Sequence, residues 1–259
     1  MNEHTANSEP IFATLLAPLS LPELTGRART HVKEVEELGC ALHPAAAEAL
    51  LAMHAAAARD GIDLLPVSGF RDFERQLAIW NGKFCGERAL LDANGLPLDV
   101  AALSEPERVT AILIWSALPG ASRHHWGSDF DLIDRNAMAA GLPVELLGED
   151  YASGGRYAKL SAWLALHMHA YGFFLPYDQD RGGVQPEPWH VSFAPLAAPA
   201  LAALSAETLR HALDGVALAG RDTVIARLPQ WFDQYVVAVA AAPRAALAAV
   251  ALNRAARLA

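Results

Sequence analysis

The stretch "SRHHWGSDFD", Ser122–Asp131, places two histidines and two aspartates within ten residues of a chain rich in alanine and leucine. It continues as "SDFDLID", in which polar and apolar residues alternate. Because successive side chains of a strand point to opposite faces, this alternation predicts a half-buried strand with Asp129 and Asp131 on one face. Two interpretations stay open at this point: a metal-binding corner, or a solvated turn that leads into a strand.

Helical and strand patterns alternate along the rest of the chain. "HPAAAEALLAMHAAAARDG" predicts a helix over Pro44–Arg59, because proline stands just inside its start and Gly61 just past its end. Further helices are predicted in "RDFERQLAIWNGKF", after a capping box formed by Ser104 and Glu107, and in "YAKLSAWLALHMHAYGF". Strands are predicted in "IDLLPVSGF" and "EPWHVSF".

Alanine-rich helical segments follow Pro195, with Ser205 and Asp222 as expected caps. The fold class predicted from these elements is α+β, a small and mostly antiparallel sheet with helices packed on it. We expect a first domain over residues 1–195, with its motifs within about residues 62–195, and a helical extension over residues 196–259 on the same core. That extension could complete the core, cover a cleft or form a dimer, and the oligomeric state stays open.

Composition limits the kinds of partner and of metal site to expect. The chain has 259 residues, 53% of them hydrophobic, which is enough for a buried core. Lys and Arg number 20 against 29 Asp and Glu, a formal charge of −9 that disfavours nucleic acid as a partner. With 2 cysteines far apart in sequence, any metal is expected to bind histidine and carboxylate ligands.

The sequence also bears on the expected compartment. Residues 1–25 lack a basic segment followed by an apolar one and a cleavage site, so we expect a cytoplasmic protein. A periplasmic or cell-envelope location is the alternative. The apolar segment Tyr235–Leu252 is interrupted by Pro243 and Arg244, and we therefore expect no membrane-spanning helix there.

Two distant segments contain the candidate metal ligands. A catalytic zinc site has three protein ligands from His, Asp and Glu and leaves one position for water. The spacing indicates His124 and Asp131 from the first segment and His190 from "EPWH". Glu187 would then be free to act as a general base. By spacing alone, a hydrogen-bonded polar cluster without metal is an equal alternative.

A resemblance to a known family favours the metal site. The chain resembles the zinc D-alanyl-D-alanine carboxypeptidases of the VanY type in three motifs, in the same order, over about residues 65–195. "SGFRDFERQ", Ser68–Gln76, resembles the upstream S-G-[YF]-R...Q segment. The residues that match S-x-H-x-x-G-x-x-x-D are Ser122, His124, Gly127 and Asp131, and those that match E-x-x-H are Glu187 and His190.

The resemblance implies a role for each matched residue. His124, Asp131 and His190 would bind Zn²⁺. Glu187 would be the catalytic base, and Arg71 would lie over the substrate carbonyl or carboxylate. The candidates for substrate binding are Ser68, Gln76, Ser122 and Asp129. The resemblance also implies a fold similar to the zinc-bearing signalling domain of hedgehog proteins, and a peptide derived from peptidoglycan as substrate.

Two features depart from a simple reading of the motif. Position 129 is aspartate where many members have a small residue, so Asp129 is expected to contact a metal-binding histidine or a substrate ammonium. Glu187 and His190 would face opposite sides of a regular strand, and Pro188 disfavours a helix, so we expect a bend there.

The resemblance leaves the reaction partly open. Removal of a C-terminal D-alanine is the leading hypothesis. The alternatives are a peptidoglycan endopeptidase, an L,D-carboxypeptidase with the same site, and a zinc-stabilised binding module without turnover.

Overall fold

The computed structural model describes residues 16–138 and 144–249, and their architecture is α+β. A two-stranded antiparallel hairpin pairs β1 with β2, and a four-stranded antiparallel sheet has the order β3-β4-β6-β5. The strands are β1 Lys33–Val35, β2 Cys40–Leu42, β3 Leu64–Ser68, β4 Asp129–Asp134, β5 Phe173–Phe174 and β6 His190–Phe193. The predicted fold class is confirmed.

Helices surround this sheet, and most are short. They are α1 Leu21–Leu24, α2 Pro44–Arg59, α3 Phe73–Phe84, α4 Glu105–Leu113, α5 Gly148–Tyr151, α6 Ala158–His167, α7 Ala194–Ala203, α8 Ala206–Ala212, α9 Arg221–Ala226 and α10 Leu228–Phe232. A π-helical turn, Asp233–Val237, follows α10. None of the helices in the described part of the chain combines the length and the apolar content that a bilayer crossing requires.

Several helix ends agree with the sequence and two local predictions are wrong. The bounds Pro44–Arg59 are confirmed, and Ser205 caps α8 by accepting a hydrogen bond from the Thr208 amide at 3.1 Å. Asp222 does not cap a helix, because α9 begins after Gly220, whose φ of 70° starts the turn one residue earlier. Strand β4 is buried at all six positions rather than half-buried, because β3 and β6 pair with its two edges and both its faces are covered.

Two apolar clusters hold the elements together. The first joins α2 and α6 to the sheet and includes Leu50, Met53, Phe130 and Leu132. The second joins α3 and α4 to the helices after residue 195 and includes Trp80 with Leu209. The helices after residue 195 thus share buried contacts with earlier parts of the chain, while the domain boundary stays a prediction.

Candidate metal and catalytic site

Strand pairing brings the two halves of the motif together. In β4, Asp131 lies opposite His190 of β6 on one side and opposite Ser68 of β3 on the other. Antiparallel partners directly opposite each other have Cβ atoms about 5 Å apart, within reach of a shared ligand. The backbone register therefore fixes the spacing of one imidazole and one carboxylate.

A tight turn adds the second imidazole. The 3-10 turn Arg123–Trp126 ends at Gly127, whose φ is 65°. A Cβ at Gly127 would lie 2.4 Å from the Cγ1 atom of Val32, so only glycine fits this reversal. The turn holds His124 over the sheet, with its Nε2 atom 3.7 Å from Oδ2 of Asp131.

The three candidate ligands fit a tetrahedral metal site. His124, Asp131 and His190 each offer one ligand atom, and these atoms all lie within 4.8 Å of one another. The Nδ1 atom of His190 lies 3.4 Å from Oδ1 of Asp131. Two ligands about 2 Å from a tetrahedral ion are about 3.3 Å apart, so the observed spacings need only small adjustments. Two imidazoles and one carboxylate are a donor set that zinc accepts.

Hydrogen bonds orient both imidazoles for metal binding. Nδ1 of His124 lies 3.0 Å from the carbonyl oxygen of Gly69, and Nε2 of His190 lies 3.1 Å from Oδ1 of Asp129. A ring nitrogen that donates to an oxygen carries the proton, which leaves the other nitrogen as the ligand atom. Nε2 of His124 and Nδ1 of His190 are therefore the nitrogens available to bind a metal, and both face Asp131.

Asp129 lies behind His190 and has no exposed surface. It accepts hydrogen bonds from Nε of Arg123 at 2.7 Å and from Oγ of Ser128 at 2.6 Å, in addition to that from His190. Arg123 also donates to Oγ of Ser192 at 2.6 Å. These contacts match the alternative in which Asp129 holds a metal-binding histidine, and no surface of Asp129 remains for a substrate ammonium.

The charges around His190 indicate a site that attracts a cation. Burial lowers the pKa of His190, but hydrogen bonds with the three carboxylates around it raise the pKa well above its ordinary value. Burial and the nearby Arg71 guanidinium lower the pKa of His124 to about 3, so its imidazole is neutral. A neutral imidazole is the form that binds metal. A metal ion bound here would therefore replace the proton that the surrounding carboxylates favour on His190.

Glu187 stands next to the ligands on a turn rather than on a strand. The amide of His190 donates to the carbonyl of Glu187 at 3.1 Å, which closes the bend expected from the sequence. The carboxylate oxygen Oε2 of Glu187 lies 3.2 Å from Nδ1 of His190, and burial raises the pKa of Glu187. A carboxylate in this position has the basicity and reach of a general base.

Arg71 enters the same pocket and is held by two neighbours. Its guanidinium donates to Oε1 of Gln76 at 2.8 Å and to Oγ of Ser68 at 3.2 Å. Gln76 is fully buried and donates in turn to the carbonyl of Ala117 at 2.7 Å. In this structure Ser68 and Gln76 therefore position Arg71 and do not line the pocket themselves.

The pocket has a volume of about 220 Å³ and is lined by the candidate ligands, Glu187, Arg71 and Ser122.

Sequence reasoning missed two basic residues near this pocket, Arg123 and Lys83. The role of Arg123 could have been inferred from the sequence. A second buried carboxylate beside Asp131, that of Asp129, needs a cation, and Arg123 is the one basic residue of "SRHHWGSDFD" apart from histidine. The Nζ atom of Lys83 donates to Oγ of the pocket residue Ser116 at 2.7 Å, a contact with no signature in the sequence.

His125, next to the candidate ligand His124, is fully buried. Its Nε2 atom accepts from the amide of Gly120 at 3.1 Å, and its Nδ1 atom donates to the carbonyl of Arg71 at 2.6 Å. His125 thereby fixes the backbone that carries Arg71.

Comparison with known proteins gives consistent matches. A family model described as VanY, D-alanyl-D-alanine carboxypeptidase, matches residues 39–196, a range that includes every residue of the site. An uncharacterized protein of Haemophilus influenzae is 37% identical over 122 residues, which are 46% of this chain and 93% of that protein. A second from the same organism is 43% identical over 98 residues, which are 37% of this chain and 67% of that protein. The solved structure of VanYB in complex with D-Alanine-D-Alanine is 20% identical, with a TM-score of 0.46, over 73% of this chain and 91% of that one.

Proposed function

The chain belongs to the VanY D-alanyl-D-alanine carboxypeptidase family, and from this premise we propose that it is a zinc-dependent peptidase. Its substrate is a peptidoglycan-derived peptide, from which it removes a C-terminal D-alanine. One observation carries the proposal: three metal-capable side chains converge in a pocket that also contains Glu187 and Arg71.

The donor set favours a catalytic zinc site over a structural one. Structural zinc sites usually have four protein ligands, whereas catalytic sites have three. The group found within the described residues has three members, His124, Asp131 and His190, and Glu187 is outside it. When bound there, zinc would act as a Lewis acid that lowers the pKa of a water molecule to about 7.

The chain's own residues supply the proton transfers and the charge stabilisation. Glu187 accepts the proton of the attacking water, and its raised pKa helps it deliver that proton to the leaving amine. Arg71 donates hydrogen bonds to the carbonyl oxygen as negative charge develops on it. Because Ser68 and Gln76 already fix the guanidinium, little reorganisation is needed during the reaction.

The test is hydrolysis of a wall pentapeptide that ends in D-Ala-D-Ala. We expect the purified protein to release D-alanine, to lose this activity on chelation and to regain it with added zinc. Intact peptide in the zinc-loaded sample would contradict the proposal and favour a zinc-stabilised binding module. Cleavage only of cross-linked peptides would identify an endopeptidase instead.

A further inference from the structure

Glu187 lies at the end of a long loop between two strands. Residues 176–187 connect β5 to β6 and contain neither helix nor strand, and we call them the Glu187 loop. Three of its side chains line the pocket, those of Tyr177, Val184 and Glu187. The amide of Glu187 donates to the carbonyl of Tyr177 at 2.9 Å, which closes the base of the loop. Such a loop needs a rigid support from outside to hold a side chain in one place.

The π-helical turn Asp233–Val237 contacts the tip of this loop. The Nε2 atom of Gln234 donates to the carbonyl of Gly182 at 2.5 Å. The carbonyl oxygen of Gln234 lies against Gly183, where a Cβ atom would clash with it. The φ angle of Gly183 is not positive, so it is this close approach that requires glycine. π-helical turns are rare and occur frequently at functional sites.

Other contacts hold the loop on both sides of its tip. The amide of Ala240 donates to the carbonyl of Pro176 at 2.8 Å, and the amide of Gln185 donates to the carbonyl of Ile114 at 3.1 Å. Val184 packs against the second apolar cluster, to which the helices after residue 195 contribute. The support of the loop therefore comes largely from the helical extension.

The segment between the tip and Glu187 is stiff. Pro186 and Pro188 flank Glu187, and a proline ring fixes its own φ angle and restricts the residue before it. A displacement at Gly183 therefore reaches Glu187 with little damping. Misplacement of a catalytic group by about 1 Å can cost about 10²-fold in rate.

We propose that Gln234 is a positioning residue for Glu187 and acts through Gly182 and Gly183. The matched family range ends at residue 196, so Gln234 lies outside it while the Glu187 loop lies inside. This inference rests on the proposed peptidase function and gives the helical extension a role in it. The candidate ligands lie in β4, in β6 and in the turn before β4, so the contact should affect the base and not the metal.

The experiment measures hydrolysis of the D-Ala-D-Ala pentapeptide by two zinc-loaded variants. Gly183→Ala forces the loop away from the turn, and kcat should fall by about tenfold to hundredfold. Gln234→Met removes only the hydrogen-bond donor, and kcat should fall by about threefold to tenfold. KM should change by less than about threefold in both variants, because Arg71 lies outside the loop.

Each variant has a matched control. Gln230→Met removes a glutamine that is exposed in α10, and Gly148→Ala adds a methyl group at a position where it meets no atom within 4 Å. Both controls should have the kcat of the wild type. Zinc affinity and circular dichroism should be the same for all variants, so that a lower kcat is not a loss of the metal or of the fold.

A double variant separates positioning of the base from a general effect on the structure. With Glu187→Ala already present, no base remains to be misplaced. Adding Gly183→Ala or Gln234→Met should then lower the residual rate, measured at high enzyme concentration, by less than about twofold.

The outcomes separate the two proposals. Wild-type kcat in both single variants overturns the positioning role and leaves the peptidase function intact. The same is true if the defects persist in the Glu187→Ala background, or if the two variants lose zinc. A zinc-loaded wild type that leaves the pentapeptide intact overturns the peptidase function and the positioning role with it.

Discussion

The two ends of the pocket carry opposite charges and are built in different ways. At the metal end, Asp131 and His190 lie opposite each other on paired strands, and His124 is held by a turn that requires Gly127. At the cation end, Gln76 and Ser68 hold the guanidinium of Arg71 by hydrogen bonds, and Lys83 donates to the pocket residue Ser116. Backbone pairing fixes the first end, whereas flexible side chains place the second.

This difference predicts how each end responds to substitution. Each residue of the metal end has a single role, as a candidate ligand, as the proposed base or as the group that orients a ligand. The remaining residues cannot take over that role when one is lost. Arg71 has two neutral acceptors, so losing one of them leaves the guanidinium partly held. We therefore expect large effects at the metal end and graded effects at the cation end.

The largest effect is expected for Glu187→Ala. A general base typically contributes about 10²–10⁴ in rate, so kcat should fall by that factor. Zinc content measured by elemental analysis should not change, because Glu187 is outside the group of three ligand atoms. Glu149→Ala, at an exposed position of α5, is the control and should behave as wild type. Loss of zinc from the Glu187 variant would make Glu187 a ligand and contradict its role as base.

Asp129→Ala should weaken zinc binding by about tenfold to hundredfold, the usual effect of losing the group that orients a ligating histidine. The affinity is measured by competition with a chromophoric chelator. The same substitution leaves Arg123 buried without its carboxylate, so the free energy of unfolding of the metal-free protein should fall by roughly 3–5 kcal/mol.

The double variant Arg123→Met/Asp129→Ala separates these two effects. It removes the uncompensated charge and should recover most of the free energy of unfolding in urea titrations. Zinc affinity should stay low, because His190 still lacks its acceptor. Recovery of zinc affinity together with stability would mean that Asp129 acts through the fold and not through His190.

The same contrast explains what could be predicted from the sequence. The candidate ligands and Glu187 could be predicted as one group because a motif spaces them, and strand register does bring Asp131 and His190 together. The role of Gln76 was not predictable, since its helix could have turned it toward solvent, and its burial depends on contacts with Ala117 from a distant segment. The full burial of β4 was missed for a similar reason, because alternation in one strand does not reveal what covers its polar face.

The pH dependence of the cation end provides a test of intermediate size. Burial lowers the pKa of Lys83 to about 8, with the charges of Arg71 and Arg88 acting in the same direction and the Glu187 carboxylate opposing them. Lys83 is protonated below that pH and neutral above it. Since kcat/KM reports ionisations of the free enzyme and a protonated Lys83 attracts an anionic peptide, kcat/KM for a free-acid peptide should fall about fivefold between pH 8 and pH 9. This fall should be absent from Lys83→Met and from the wild type with a carboxamide peptide, and a fall that persists in Lys83→Met would assign it to another group.

The smallest effects are expected for the two residues that hold Arg71, and their order is a test in itself. Ser68 accepts from Arg71 at 3.2 Å, a long hydrogen bond, so Ser68→Ala should lower kcat by about twofold to fourfold. Gln76 accepts at 2.8 Å and also pairs the buried carbonyl of Ala117, so Gln76→Met should lower kcat by about fivefold to tenfold and reduce stability as well. If the two substitutions act independently, their factors in kcat should multiply in the double variant Ser68→Ala/Gln76→Met. A double variant with the full defect of Arg71→Met would mean that the guanidinium contributes to catalysis only when it is held. Equal defects in the two single variants would contradict graded positioning and indicate that Ser68 contacts the substrate directly.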